Sequence, residues 1–266
     1  MKVFSYLFIL SCVLLSLKLS AQDKHVFKDI VYTASQDSYA RDQCKLDVYI
    51  PTDTTNFVTL VWFHGGGLTS GDKTIPESLK NNKFAIVSAS YRFAPKVAVK
   101  DIIQDAAEAV GWTMQHIERY GGNKNKIIIG GYSAGAYLAL MLGLQKEYLH
   151  EKGIDADKLL GILSCSGQAI THFTERSARQ LKETQPIVDE LAPLYWVRKD
   201  AAPILLITGD RELEMLGRYE ENAYLARMLK LTGHQQVKLL ELEGYDHGML
   251  YPAIPLLIKE IKRLSH

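Results

Sequence analysis

Short, almost unbroken apolar runs alternate along this chain with longer stretches of helical period. Phe57-Val-Thr-Leu-Val-Trp-Phe63 and Phe84-Ala-Ile-Val-Ser-Ala-Ser90 read as strands covered on both faces of a sheet, as do Leu159–Cys165 and Pro203–Thr208; Ile127–Ile129 and Val237–Leu242 read as further strands. Ahead of them, Val26–Ala34 and Lys45–Pro51 alternate in the manner of antiparallel opening strands. Val99, Ile102, Ile103, Ala106, Val110, Met114 and Ile117 recur at helical spacing, and Ala136–Leu144, Leu216–Leu231 and Ile254–Leu264 also read as helices. Strands alternating with helices predict an α/β fold, a mostly parallel sheet with helices on both faces. In such sheets functional groups gather in the loops beyond the carboxyl ends of the strands. One segment, Gln168–Asp200, escapes the alternation. It is long, polar and mixed, and loops of that length are usually functional or disordered, so it is read as a small cap over the site.

The first residues have another pattern. Met1-Lys2 precedes an apolar stretch from Val3 to Leu17, closed by Lys18-Leu-Ser-Ala21-Gln22. This is the layout of an export signal, residues 1–21, cleaved near Ala21, and it predicts a periplasmic or extracellular protein whose mature domain spans residues 22–266. The stretch is too short for a membrane span, and the apolar run continues past Cys12, which argues against a lipid anchor there. The 266 residues are 47% hydrophobic and 23% charged, enough for one globular domain with a large core. A formal net charge of +1 without long runs of one sign gives no reason to expect nucleic acid as a partner. Cys44 and Cys165 sit in apolar, strand-like settings and read as buried free thiols. No C-x-x-C or H-E-x-x-H pattern occurs, so neither metal nor cofactor is expected.

The candidate chemistry centres on Lys126-Ile-Ile-Ile-Gly-Gly-Tyr-Ser-Ala-Gly-Ala-Tyr-Leu138. A β-branched run, a turn Gly131-x-Ser133-x-Gly135 and an Ala/Leu-rich helical segment spell strand, sharp turn and helix, with a serine at the apex. Serine-based acyl transfer also needs a base, an acid that orients it, and donors for the oxyanion. Of eight histidines, His25, His116, His150, His234 and His266 read as ordinary surface residues, and so does His172 within the polar insertion. His247, in Gly244-Tyr-Asp-His-Gly248, follows the last strand on a glycine-flanked loop. The acid falls in Thr208-Gly-Asp-Arg-Glu-Leu213, where Asp210 and Glu212 compete and Glu214 lies further off. His64-Gly-Gly-Gly67 supplies a flexible loop whose backbone N–H groups, with that of Ala134, can form an oxyanion hole.

With these residues in view, the chain resembles the α/β-hydrolase fold esterases of the hormone-sensitive-lipase-like group and the bacterial carboxylesterases that act on carbohydrate acyl esters. The resemblance rests on Leu46-Asp-Val-Tyr-Ile-Pro51, His64-Gly-Gly-Gly-Leu-Thr-Ser-Gly-Asp72, Tyr91-Arg-Phe-Ala-Pro95, Asp105-Ala with Trp112, Gly131-Tyr-Ser-Ala-Gly135 and Asp246-His247-Gly, in this order. It implies an eight-stranded sheet, Ser133 as nucleophile, His247 as base, and Gly66, Gly67 and Ala134 as oxyanion donors. The family acid comes third after the glycine that ends the penultimate strand, which from Gly209 lands on Glu212. The lipase-like relatives carry an N-terminal helical cap, for which the strands here begin too early. The implied activity is hydrolysis of short-chain or aryl acyl esters, with small-molecule or carbohydrate esters as substrates. The competing readings are a peptidase or amidase of the same fold, and a non-catalytic hydrolase-fold binding protein.

Overall fold

A computed structural model describes residues 25–265; the export segment read at residues 1–21 lies outside them. Eight strands form one sheet: β1 (Val26–Val31), β2 (Lys45–Tyr49), β3 (Phe57–Phe63), β4 (Ala85–Ala89), β5 (Gly122–Tyr132), β6 (Gly161–Cys165), β7 (Ile204–Gly209) and β8 (Val237–Leu242). Their spatial order is β1-β2-β4-β3-β5-β6-β7-β8. β2 runs antiparallel to both β1 and β4, and every pairing from β4 onward is parallel. The helices are α1 (Ser38–Gln43), α2 (Val99–His116), α3 (Ala134–Leu144), α4 (Glu147–His150), α5 (Phe173–Ala178), α6 (Arg218–Leu231) and α7 (Leu250–Leu264). The long helices fall within two residues of the sequence expectation at their carboxyl ends. The short α1, α4 and α5 carry too few turns to leave a periodic trace.

The apolar runs are buried for the reason the pattern predicts: successive side chains leave a strand on opposite faces, and both faces are covered. Phe57, Val61, Phe63, Ile127, Ile129, Ile162, Ile204 and Leu206 pack on one side with residues of α2, α3 and α6. Val58, Leu60, Trp62, Ile128, Leu163, Leu205 and Ile207 pack on the other with Ala253, Ile254, Leu257 and Ile261 of α7. Each fully buried Leu, Ile or Val contributes about 1.5–3 kcal/mol relative to exposure. The helix α3 is buried on every side, as befits an Ala/Leu segment with no polar face. It lies under the carboxyl end of β5 and so gives the serine turn a rigid floor. Cys44 and Cys165 are buried free thiols. Among the described residues no helix is long and apolar enough to cross a membrane, and no His/Cys/Asp/Glu cluster could hold a metal ion.

Candidate active site

Ser133 sits between β5 and α3 with φ 54° and ψ −118°, a conformation a side-chain-bearing residue adopts only under constraint. The constraint is close packing. A Cβ on Gly135 would lie 2.0 Å from the carbonyl oxygen of Phe63, and one on Gly131 would lie 2.5 Å from that of Gly135. Only glycine lets the start of α3 press this tightly against the ends of β3 and β5. The Ser133 amide then donates to the Cys165 carbonyl at 2.8 Å, continuing the sheet ladder past the end of β5.

That ladder carries on along the carboxyl edge. Ser166 donates its amide to Ile207 at 2.7 Å, and Asp210 donates to Tyr245 at 2.7 Å. Four loops are thereby held in register, and three of them deliver the candidate site side chains. His247 Nε2 lies 3.0 Å from Ser133 Oγ. On the other side of the ring, Nδ1 lies 2.7 Å from Glu214 Oε1 and 3.0 Å from Ser166 Oγ. The Tyr132 hydroxyl donates to the His247 carbonyl at 2.5 Å, and the two rings stack with centroids 5.2 Å apart.

The carboxylate facing His247 is therefore Glu214, which corrects the expectation of Glu212. After β7 the chain winds through a single turn, in which Glu214 donates its amide to the Asp210 carbonyl at 2.8 Å. That turn leaves Glu212 exposed to solvent and carries Glu214 back under the sheet edge. The alternative, Asp210, is engaged elsewhere: its carboxylate accepts the amides of Glu212 at 2.9 Å and Gly244 at 2.8 Å, tying the acid loop to the histidine loop. The Glu214 side chain is 1% exposed. Burial alone would raise its pKa, but hydrogen bonds from His247, the amides of Met215 and Gly209 and the Ser166 hydroxyl outweigh it and bring the value down to about 2. Glu214 is an anion across the working range of any neutral-pH chemistry.

The glycine loop after β3 is pinned by its carbonyls. Gly65 O lies 2.6 Å from His64 Nδ1, and Gly66 O accepts the amides of Thr69 and Ser70 at 3.1 Å. Gly67 O accepts the Thr174 hydroxyl from α5. A trans peptide points its N–H opposite to its C=O. Holding the carbonyls of Gly65 and Gly66 in this way turns the amides of Gly66 and Gly67 to the other side of the loop. Neither those two amides nor that of Ala134 meets an acceptor among the described residues. His64 itself is buried, stacked on Tyr91 at 4.4 Å, and burial lowers its pKa. The ring serves the loop's shape and stands apart from the proton relay.

Two further histidines differ from expectation. His172 and His234, read as surface residues, are 1% and 4% exposed. His172 caps α5 by accepting the Thr174 amide at 3.2 Å, and its ring packs on Tyr137 and Phe173. The polar insertion that holds His172, residues 168–200, contains α5 and a 3-10 turn over Pro193–Trp196. It fastens to the core through Tyr137, whose hydroxyl donates to Leu191 O at 2.7 Å. Beside it a cavity of 580 Å³ runs between Pro95, Val97 and Val99 on one wall and Phe173, Thr174 and Ala178 on the other, adjoining the glycine loop at Thr69.

Strand order, serine turn and carboxyl-edge relay together define the α/β-hydrolase fold. Residues 46–163 match the BD-FAE family. Esterase LipC of Mycobacterium tuberculosis is 26% identical over 70% of this chain and 50% of its own length. A probable isoprenylcysteine alpha-carbonyl methylesterase of Oryza sativa is 28% identical over 80% of this chain and 57% of its own. The chain thus spans about half the length of the curated relatives it matches. Among solved structures, a truncated carbohydrate esterase from gut microbiota superposes with a TM-score of 0.75 at 17% identity, covering 92% of this chain and 98% of the other. Esterase 2 of Thermogutta terrifontis, bound to butyrate, superposes at 0.72 with 20% identity over 91% and 95%. The resemblance to α/β-hydrolase esterases read from the motifs stands.

Proposed function

We propose that this protein is a serine carboxylesterase acting on short-chain or aryl acyl esters, with carbohydrate-borne acyl groups as the natural class. The observation that carries the reading is the continuous relay Ser133–His247–Glu214, at 3.0 and 2.7 Å, beneath a serine in a constrained backbone conformation. In this reading His247 Nε2 takes the Ser133 proton as Oγ attacks the ester carbonyl, and Glu214 stabilises the imidazolium without itself taking the proton. The amides of Gly66, Gly67 and Ala134 receive the oxyanion. Collapse of the tetrahedral intermediate passes the proton to the departing alcohol and leaves the acyl group on Ser133. Water, deprotonated by the same histidine, then releases the acid.

The substrate class is supported from two sides. The similar structures include an esterase with butyrate bound and a carbohydrate esterase. Residues 168–200, read as a small cap, wall the apolar cavity beside the glycine loop, where the non-reacting part of an ester can rest. Export through residues 1–21 belongs to the same proposal, and the N-terminal sequence of the exported chain tests it. A fluorophosphonate probe, mapped by peptide mass and run beside p-nitrophenyl esters of rising chain length, tests the reaction. Labelling at Ser133, lost in Ser133→Ala, and turnover that falls with chain length are expected. An unlabelled, inactive wild type would favour a hydrolase fold used for binding.

A further inference from the structure

Arg218 is a buried cation that the reaction as written leaves without a task. It opens α6, is 3% exposed, and burial lowers its pKa. Its Nη1 donates to the Ser166 carbonyl and, at 3.1 Å, to Ser166 Oγ, while Nη2 lies 4.0 Å from the Met215 sulfur. Its Nε finds no acceptor among the described residues. A buried donor without a partner costs stability, so the side chain is poorly explained as a stabilising element.

The direction of the hydrogen bonds supplies an explanation. A guanidinium only donates, so Ser166 Oγ accepts from Arg218 and keeps its own proton for another partner. That partner is Glu214 Oε2 at 2.8 Å. The remaining lone pair of Oγ faces His247 Nδ1 at 3.0 Å. Reversing the Ser166 hydroxyl would set its proton against the guanidinium or the imidazole N–H. The backbone around Ser166 is held with equal care. Ser166 has φ 55°, and the loop that follows is fastened to one face of α6. There Asn222 donates to Gly167 O at 2.8 Å, and Glu221 accepts the Ala169 amide at 3.0 Å.

We propose that Arg218 is a positioning residue of the triad, acting through Ser166 to fix the proton order Arg218→Ser166→Glu214, so that His247 Nδ1–H is held between Glu214 and Ser166 and Nε2 faces Ser133. The inference rests on the esterase reading. The charged and titratable groups that share this environment are Glu214 on the acid loop, Glu221 on α6, Tyr132 at the end of β5, Asp246 on the histidine loop, and Arg176 with His172 around α5.

The test compares wild type with Arg218→Met, Arg218→Lys and Ser166→Ala in the full chain. It reads kcat and KM on p-nitrophenyl acetate and the 15N shifts of the His247 ring, which report which ring nitrogen carries the proton. Arg218→Met is expected to lower kcat about tenfold with KM unchanged and to move the ring-nitrogen shifts away from their wild-type values. Arg218→Lys, which can still donate to Ser166, is expected to hold both near the wild-type position. Ser166→Ala removes one hydroxyl and tests the relay even if both Arg218 variants fail to fold; kcat is expected to fall about tenfold with KM unchanged. An unchanged kcat with unmoved ring-nitrogen shifts in a folded Arg218→Met, or an unchanged kcat in Ser166→Ala, overturns the proposal. A wild type without esterase activity would sink the reading of the reaction, while the ring-nitrogen shifts would still report whether Arg218 positions His247.

Discussion

Glu214 reaches His247 because its side chain is long enough to fold back on its own turn. One carboxylate oxygen accepts the Gly209 amide at 3.1 Å and the other the Met215 amide at 2.9 Å, so the group is clamped by the backbone at both ends of its loop. An amide in its place would keep the shape but lose the charge that pairs with the imidazolium. Glu214→Gln is therefore expected to lower kcat by up to about 10⁴, the loss seen when a triad acid is neutralised. Glu212→Gln, on an exposed residue, should leave kcat unchanged. Side-by-side turnover of the two variants decides which carboxylate acts. A second residue-scale expectation concerns His172, whose buried neutral ring is held far below its usual pKa by burial and by the neighbouring Arg218 and Arg176. The unfolded chain takes up a proton near pH 6.5 that the folded chain refuses, so its contribution to stability is full above about pH 6.5 and declines as pH falls below it. Melting temperature measured from pH 7.5 to 5 should fall less steeply in His172→Gln than in wild type.

At the scale of elements, the serine turn and the glycine loop were legible because close approach leaves a mark in the sequence. Gly131 and Gly135 are demanded by contacts of 2.0–2.7 Å that any Cβ would make. The loop His64–Gly67 likewise announces itself by three successive glycines. Nothing comparable marks Glu214 or Ser166. Their placement depends on a turn closed by the Glu214-to-Asp210 hydrogen bond and on a non-glycine residue at positive φ, neither of which has a periodic signature. The link between α5 and the glycine loop was equally hidden, since 107 residues separate Thr174 from Gly67. The hydroxyl of Thr174 holds the Gly67 carbonyl while the Phe173 ring covers the space above Gly67, where a Cβ would lie 2.9 Å from it. Thr174→Val, nearly equal in volume, should lower kcat about tenfold through a looser oxyanion loop, with Thr174→Ser close to wild type. Equal turnover in all three would leave α5 with a packing role alone.

Across the whole molecule, the alternating runs fixed the order of strands and helices because a sheet covered on both faces tolerates few polar residues. The same coverage buries both thiols completely. Cys165 lies at the end of β6 and burial pushes its pKa above the usual thiol range; Cys44 is raised to about 12 by burial and by the neighbouring Asp105. Reaction needs the thiolate and access to it. Labelling of Cys44 and Cys165 by a water-soluble alkylating reagent at pH 8 should therefore proceed at the rate of global unfolding. Fast labelling of either thiol in the folded protein would contradict the buried placement.

The carboxyl-edge ladder joins loops that are far apart in the chain: Ser133, Glu214 and His247 come together only because β5, β6, β7 and β8 lie side by side. On the proposed reaction, a growing polypeptide emerging from the ribosome carries its serine long before the histidine that would activate it. Ser133 would then stay an ordinary alcohol until the last strand docks and the histidine loop closes against Tyr132. Reactivity toward a phosphonate probe would then time the final step of assembly, and nascent chains stalled short of His247 should remain unlabelled however much of the sheet they have built.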